Sequence, residues 1–288
     1  MRLHQIHTHL DHCITWSKSL ASQEQFNFFS REGYLVVPEL LSPKELDQCK
    51  SEIDRLHKLA AVLDSRCELP DSSFQLEPFA PVDHSQDVPI LRKIEDTGTH
   101  SDVFYKLARK TSILAIVKAL LQSPDLLLFR STLMLKPAIH GSSHALHQDS
   151  AYWPIDPPFL VTVSIALTKA TLVNGCFKVL PRSHESGLQQ WGDIIRHDQK
   201  LIDCNDTDVS KQKDVPLTAG SAIFFHSLLV HGSGPNKSPE PRHTALYTYF
   251  PAKVHSRTIG DTVTNNHTYP VVAGLNGAEN HTIPIAPT

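Results

Sequence analysis

LLLFRSTLMLKP, residues 126–137, is where the chain changes its period, and with it the fold. Upstream, apolar residues recur at helical steps. Here they run as a strand that stops at a proline. Everything that follows to about residue 252 is rich in short strands: an HQD strand reached through the loop 138–146, AYWPIDPP, VTVSIALTKA, CFKVLP, TAGSAIFFHSLLVHGS and HTALYTYFPAK. Asn174-Gly175 is a hairpin signal that returns VTVSIALTKA as CFKVLP. TAGSAIFFHSLLVHGS reads as strand–turn–strand, and HTALYTYFPAK closes the run. Many short strands with Pro/Gly punctuation, preceded by helices, predict a mainly β protein: a double-stranded antiparallel jelly roll, cupin-like, with helices packed outside.

The residues before 126 supply those helices. QEQFNFFSREGYLVV predicts a short helix ending near Gly33 and then a strand. Ser42-Pro43-Lys44-Glu45 opens a second helix with a capping box and a proline in its first turn. Behind it Leu46, Cys49, Ile53, Leu56, Ala60 and Leu63 form one stripe, which suits a helix lying on a sheet better than a coiled coil of three heptads. SDVFYKLARK begins a helical stretch that reaches Gln122 in two pieces meeting near Thr111-Ser112. Residues 65–90, with Pro70, Pro78, Pro81 and Pro89, read as a long loop. With RKIED at 92–96 this segment, 65–100, is expected to form a lid or rim over a substrate. The whole chain, 1–288, is expected to be one domain: a polar arm at 1–20, the lid, and a jelly-roll core at 126–252.

Composition removes several classes of function. A net charge of −3 argues against nucleic acid or an anionic membrane as partner. No apolar run approaches the ~20 residues that span a bilayer; LVTVSIAL at 160–167 has strand length. The five cysteines, Cys13, Cys49, Cys67, Cys176 and Cys204, are scattered without a CxxC, which speaks against a disulfide framework or a zinc site and for a reducing, cytoplasmic setting. Oligomeric state is not readable. The arm MRLHQIHTHLDH lacks the apolar stretch of a secretory signal. Its four histidines are read as part of a polar terminal arm. Arg2-Leu3 and His9-Leu10 resemble the amino-terminal peroxisomal targeting nonapeptide, which makes the peroxisome the alternative location.

With 18 histidines a single His carries no weight, so spacing must. His147 and Asp149 lie two apart, and on an extended strand both leave the same face. An imidazole and a carboxylate side by side are two ligands of the two-His-one-carboxylate iron site, which leaves one face of the metal open. His231 is the candidate for the third, from a strand across the barrel. Arg242 follows, and its rigid fork suits the far carboxylate of 2-oxoglutarate, while the 2-oxo end and O2 take the open positions on Fe(II). Ser233 and Thr244, each two residues from a key position, are placed to add hydroxyl bonds to that carboxylate. Thr132 and Lys136 share a strand face with Met134 and are candidates for the 2-oxo end. His226, five residues before His231, is expected to face away.

RKIED, STLMLKP, HQDSAYWP, VNGCFKVLPRSH and HGSGPNKSPEPR, in this order, resemble the phytanoyl-CoA dioxygenase family over residues 24–250. The resemblance implies a jelly-roll fold, Fe(II) on His147, Asp149 and His231, 2-oxoglutarate on Arg242, and hydroxylation coupled to release of succinate and CO2. A carboxylate at 149 points to hydroxylation or desaturation, because related halogenases carry a small residue there. Many members have Trp where this chain has Ser164, which implies a larger or more polar cavity. Tyr152, Trp153 and His144 are candidates for the substrate wall. Without a basic cluster for the phosphates of an acyl-CoA, a compact alkaloid- or amino-acid-like natural-product intermediate is the expected substrate. The alternatives are an acyl-CoA 2-hydroxylase and a non-catalytic cupin-like binding protein. Metal-dependent hydrolysis, a further rival, gives Arg242 no task.

Overall fold

A computed structural model describes residues 22–66, 68–69, 73–78, 89–189, 192–196, 199–203, 208–257 and 266–286. The arm at 1–20, with its histidines and nonapeptide, lies outside the described residues, as do 79–88 of the expected lid. Two antiparallel sheets face each other and helices cover the outside of the larger one.

Local chemistry explains the helical layer. Helix α1 (Gln23–Glu32) starts on a reciprocal Ser22/Gln25 capping box and stops at Gly33, whose φ of +82° turns the chain into β1 (Tyr34–Val37). Helix α2 (Pro43–Ser65) carries the Ser42/Glu45 box and buries the predicted stripe of Cys49, Ile53, Leu56 and Ala60. Strands β2 (Phe74–Leu76) and β3 (Leu91–Glu95) follow, then α3 (Thr97–His100), α4 (Asp102–Leu107) and α5 (Thr111–Leu121). The segment 65–90 is thus not all loop, since β2 pairs with β3 and β3 with β4 (Leu126–Lys136). RKIED is a sheet strand.

The remaining strands are β5 (His144–His147), β6 (Ile155–Asp156), β7 (Val161–Ala166), β8 (Phe177–Val179), β9 (Gly192–Arg196), β10 (Gln199–Asp203), β11 (Lys213–Val215), β12 (Ala222–His226), β13 (His231–Ser233), β14 (Arg242–Pro251), β15 (His255–Ser256), β16 (His267–Ala273) and β17 (Asn280–Ile283). The large sheet runs β1-β12-β7-β14-β4, and β4 shares its far edge between β3 and the β16–β17 hairpin. That hairpin extends the sheet beyond residue 252, the expected end of the jelly-roll core. The small sheet runs β11-β8-β13-β5.

Two expected connections come out differently. Asn174-Gly175 makes a tight turn, with Asn174 bonded to Thr171 and Lys169 and Gly175 at φ +76°, but β7 and β8 do not pair. The turn carries the chain from the large sheet to the small one. TAGSAIFFHSLLVHGS does the same, because β12 belongs to the large sheet and β13 to the small. A jelly roll alternates between its sheets, so chain neighbours need not be ladder neighbours.

Strand alternation then divides the large sheet into two faces. Leu133, Leu135, Val163, Ile165, Phe224, Ala245 and Tyr247 point outward into the core shared with the helices. Tyr247 and Tyr249 donate their hydroxyls to the Phe104 and Ala108 carbonyls, pinning α4 to the sheet at 3.2 and 2.8 Å. The opposite face, toward the small sheet, is polar. It carries Arg130, Thr132, Met134 and Lys136 from β4, and Arg242, Thr244, Leu246 and Thr248 from β14. Thr162, Ser164 and Ala166 follow from β7 by register. Among the described residues no helix is long and apolar enough to cross a membrane, and Cys49 and Cys176 are buried free thiols.

Candidate active site

The small sheet builds the centre of the site. His147, the last residue of β5, lies directly opposite His231, the first of β13. The two histidines therefore come from paired neighbouring strands rather than from across the barrel. Asp149 is not on the strand; it opens a turn of 3-10 helix. Gln148 between them keeps an extended backbone (φ −109°, ψ 127°), so the expected same-side projection survives. His147 Nε2 lies 3.5 Å and His231 Nε2 3.8 Å from Asp149 Oδ1, and the three donor atoms fall within 4.8 Å of one another.

Both imidazoles are fixed in one tautomer. His147 Nδ1 lies 2.9 Å from the Ala145 carbonyl and His231 Nδ1 2.9 Å from the Leu229 carbonyl. A carbonyl only accepts, so each Nδ1 carries the proton and each Nε2 keeps its lone pair toward Asp149. Burial, and then the neighbouring His147, lowers His231 to about 4. For Asp149 burial pushes the carboxyl up, but the two histidines and then Arg130 bring it below its ordinary value. A neutral His231 beside an ionised Asp149 is the protonation state that a divalent metal requires of these two groups.

Gln148 and Thr162 support this centre and were missed in the sequence. Gln148 is fully buried; its Nε2 donates to the Leu228 and Gly187 carbonyls at 2.6 and 2.9 Å, and its Oε1 accepts from the Gln189 amide at 2.9 Å. It fastens the ligand segment from the side away from the metal donors. Thr162 donates to Asp149 Oδ2 at 3.3 Å and shares a 2.9 Å hydroxyl contact with Thr248. Phe225 and Phe177 close on His231 at centroid distances of 4.5 and 5.2 Å, giving the pair an apolar back wall. His226 points away, stacked on Phe159.

Arg242 begins β14 on the inner face and is 6 % exposed. Its Nη1 donates to the Gly175 carbonyl at 2.8 Å, while its Nε has no partner. Burial lowers its pKa to about 10. A buried guanidinium with an unused donor is a site for an anion. Ser233 and Thr244 are buried; Thr244 lies two residues along the same strand face as Arg242, and Ser233 pairs with His144 and Phe177 on the small sheet. Ser164 is buried in the inner row opposite Leu246. Lys136 pairs with Arg242 in register, but its Nζ already donates to the Ser142 and Gly234 carbonyls; burial, then Arg242, lowers it to about 6. Thr132 donates its hydroxyl to Glu95 and accepts from Arg130 Nε at 2.9 Å.

His144 is the first residue of β5 rather than part of the loop before it, and its Nε2 lies 3.4 Å from Arg92 Nη2. Burial and then Lys136 push its pKa well down. Tyr152 is 38 % exposed with its ring edge-on to His147. Trp153 is not a wall residue. It sits in a separate apolar cluster, 4.8 Å from the Phe129 ring, because the turn after Asp149 sends consecutive side chains to opposite sides.

Two facing antiparallel sheets with a two-His-one-carboxylate set at one end define a cupin-like metalloprotein fold. Solved structures of the same shape include the non-haem monooxygenase ThoJ (TM-score 0.67, 22% identity, 91% of this chain and 87% of that one). The non-haem α-ketoglutarate-dependent epimerase SnoN from nogalamycin biosynthesis has a TM-score of 0.63 at 21% identity over 90% of this chain and 97% of its own. More particularly, the chain belongs to the phytanoyl-CoA dioxygenase (PhyH) family, whose model matches residues 29–244. Among its relatives are the peroxisomal phytanoyl-CoA dioxygenase of Bos taurus, 28% identical over 84% of this chain and 72% of its own length. The ectoine dioxygenase of Nocardia farcinica is 25% identical over 78% and 76%.

Proposed function

We propose that the protein is an Fe(II)- and 2-oxoglutarate-dependent dioxygenase that hydroxylates a small organic molecule. The observation that carries the reading is the pairing of the His147–Asp149–His231 donor set with a buried Arg242 whose Nε has no partner. Two neutral imidazoles and one carboxylate suit iron(II), and the spare guanidinium edge suits a carboxylate. Bound iron with 2-oxoglutarate and O2 supplies the oxidation, R–H, 2-oxoglutarate and O2 giving R–OH, succinate and CO2.

The chain's own residues prepare that chemistry. The Ala145 and Leu229 carbonyls orient the two imidazoles, and Thr162 orients the carboxylate by donating to its Oδ2. Arg242 would hold the far carboxylate of 2-oxoglutarate, with Ser233 and Thr244 adding hydroxyls. Phe177 and Phe225 keep water from the back of His231. Metal-assisted hydrolysis would leave the buried Arg242 without a partner, and a decayed binding protein would not keep all four groups.

A natural-product or amino-acid-like substrate fits the enclosed polar face best. The relatives named phytanoyl-CoA dioxygenase favour a second reading, 2-hydroxylation of an acyl-CoA. Purified protein with Fe(II), ascorbate and 2-oxoglutarate should release succinate in air, slowly alone and faster with substrate; none under either condition overturns the assignment. Comparing phytanoyl-CoA with small acids and alkaloids as stimulants separates the two substrate readings. A cytoplasmic location is proposed, with peroxisomal import through Arg2-Leu3 and His9-Leu10 as the alternative; imaging the full chain beside one lacking residues 1–20 decides between them.

A further inference from the structure

A second charged group lies on the same inner face, away from Arg242. Arg130 of β4 sits opposite Thr248 of β14, and Thr248 opposite Thr162 of β7. Thr162 in turn bonds Asp149. One row of cross-strand neighbours therefore runs from Arg130 to the metal carboxylate, each step about 5 Å. Arg242, the first residue of β14, lies six residues before Thr248.

Arg130 is held firmly. Its Nε donates to Thr132 Oγ1 at 2.9 Å and Glu95 Oε2 at 3.3 Å, and its Nη2 to Glu95 Oε1 at 2.9 Å. Such a clamp would ordinarily neutralise the guanidinium. Here it does not, because Lys93 Nζ also lies on Glu95 Oε1, at 2.6 Å. Two cations share one carboxylate, so the group keeps a surplus positive charge. The Nη1 edge of Arg130 makes no hydrogen bond among the described residues, and the side chain keeps 30 % of its accessible surface. Next along β3, Arg92 adds another cation beside His144. Glu77, the acid whose charge reaches Arg92, takes the amide and hydroxyl of Ser142. Tyr152 offers an exposed aromatic surface beside His147.

We propose that Arg130, braced by Glu95 and Thr132, binds an anionic group of the substrate, and that the protein acts on small amphipathic carboxylic acids whose apolar part reaches the metal triad past Tyr152. This rests on the oxygenase reading for the reaction, but the recognition step does not. The fork of Arg130 fits a carboxylate bidentately through Nη1 and the outer Nη2 hydrogen. The distance from Arg130 to Asp149, two cross-strand steps to Thr162 and one hydrogen bond beyond it, leaves room for a short carbon skeleton between the acid and the oxidised carbon.

The test uses full-length protein loaded with Ni(II) and 2-oxoglutarate, which cannot turn over, and calorimetric titration with 3-phenylpropionate, cyclohexanecarboxylate and octanoate, each beside its carboxamide. Acids should bind about tenfold or more tighter than their amides, the range expected of one charge-assisted hydrogen-bonded pair. In Arg130→Gln the acid-to-amide ratio should fall to about one, and Arg130→Lys should restore part of it. Glu95→Gln, which frees the Arg130 edge and removes a competing anion, should raise the ratio; it keeps the inference testable if Arg130→Gln does not fold. A ratio near one in the wild type, no binding of any acid, or a ratio unchanged in Arg130→Gln overturns the inference. Arg130-dependent acid binding in a protein that makes no succinate with Fe(II) would leave it standing while the oxygenase reading fails.

Discussion

Replacing Arg242 by methionine separates what this residue costs the fold from what it gives the site. Burial lowers its pKa from 12.5 to about 10, and at 1.36 kcal/mol per pH unit that is about 3 kcal/mol of solvation forgone by the charged form. Methionine removes that cost and loses one charge-assisted hydrogen bond to the Gly175 carbonyl, about 2 kcal/mol. The variant without 2-oxoglutarate should therefore be more stable than the wild type by about 1 kcal/mol, or about 2 °C in melting temperature for a chain this size. Co-substrate should reverse the order. At about a hundred times its Kd, 2-oxoglutarate adds roughly 2.7 kcal/mol to the wild type. It should do little for the variant, whose affinity falls by about a hundredfold or more once the carboxylate loses its partner. The assay is scanning calorimetry of Ni(II)-loaded protein with and without 2-oxoglutarate. A variant that melts below the wild type in buffer, or that gains as much from 2-oxoglutarate, would refute both halves of the reasoning.

Other perturbations are as direct. His147→Ala and Asp149→Ala should lower bound Fe(II) or Mn(II) from one per chain to none and abolish succinate formation; metal retained in both would remove them from the ligand set. Gln148→Ala strips three buried hydrogen bonds and should cost about 2–3 kcal/mol in urea unfolding, so an unmoved midpoint would show that the ligand segment holds itself. Glu95, which burial would raise but Arg130 and Lys93 draw down from 4.5 to about 2, contributes stability that is fully present above pH 4.5 and is lost as the pH falls toward 2. That contribution amounts to at most about 3 kcal/mol. Glu95→Gln should accordingly flatten the unfolding free energy between pH 5 and 2.5, and identical acid limbs would contradict the assignment.

What the sequence disclosed and what it hid divide along the range of the interactions. Helix α2 was readable residue by residue, since capping box and apolar stripe are local and three or four residues wide. The His147–Asp149 spacing was readable for the same reason, even though Asp149 left the strand, because the extended Gln148 backbone keeps the two side chains together. The partner strand of His231 was misplaced. Sheet membership is decided by contacts more than 80 residues apart, and no local period records them. Asn174-Gly175 was a true turn in a false hairpin: turn chemistry fixes four residues and is silent about which edge the next strand joins. Gln148, Thr162 and the Glu95–Arg130 pair escaped notice because each matters only through a partner brought in by the fold. Trp153 was lost to the core by a single turn of 3-10 helix.

The crossover at Gly175 has one more consequence. Its carbonyl props Arg242, and an added β-carbon there would fall 2.1 Å from the Gly234 carbonyl oxygen, the same oxygen that receives Lys136. The bare backbone at 175 thus acts as a spacer between two loops that between them set the height of the guanidinium. A methyl introduced at that point would displace the carbonyl beneath Arg242 while every side chain around it stayed chemically intact.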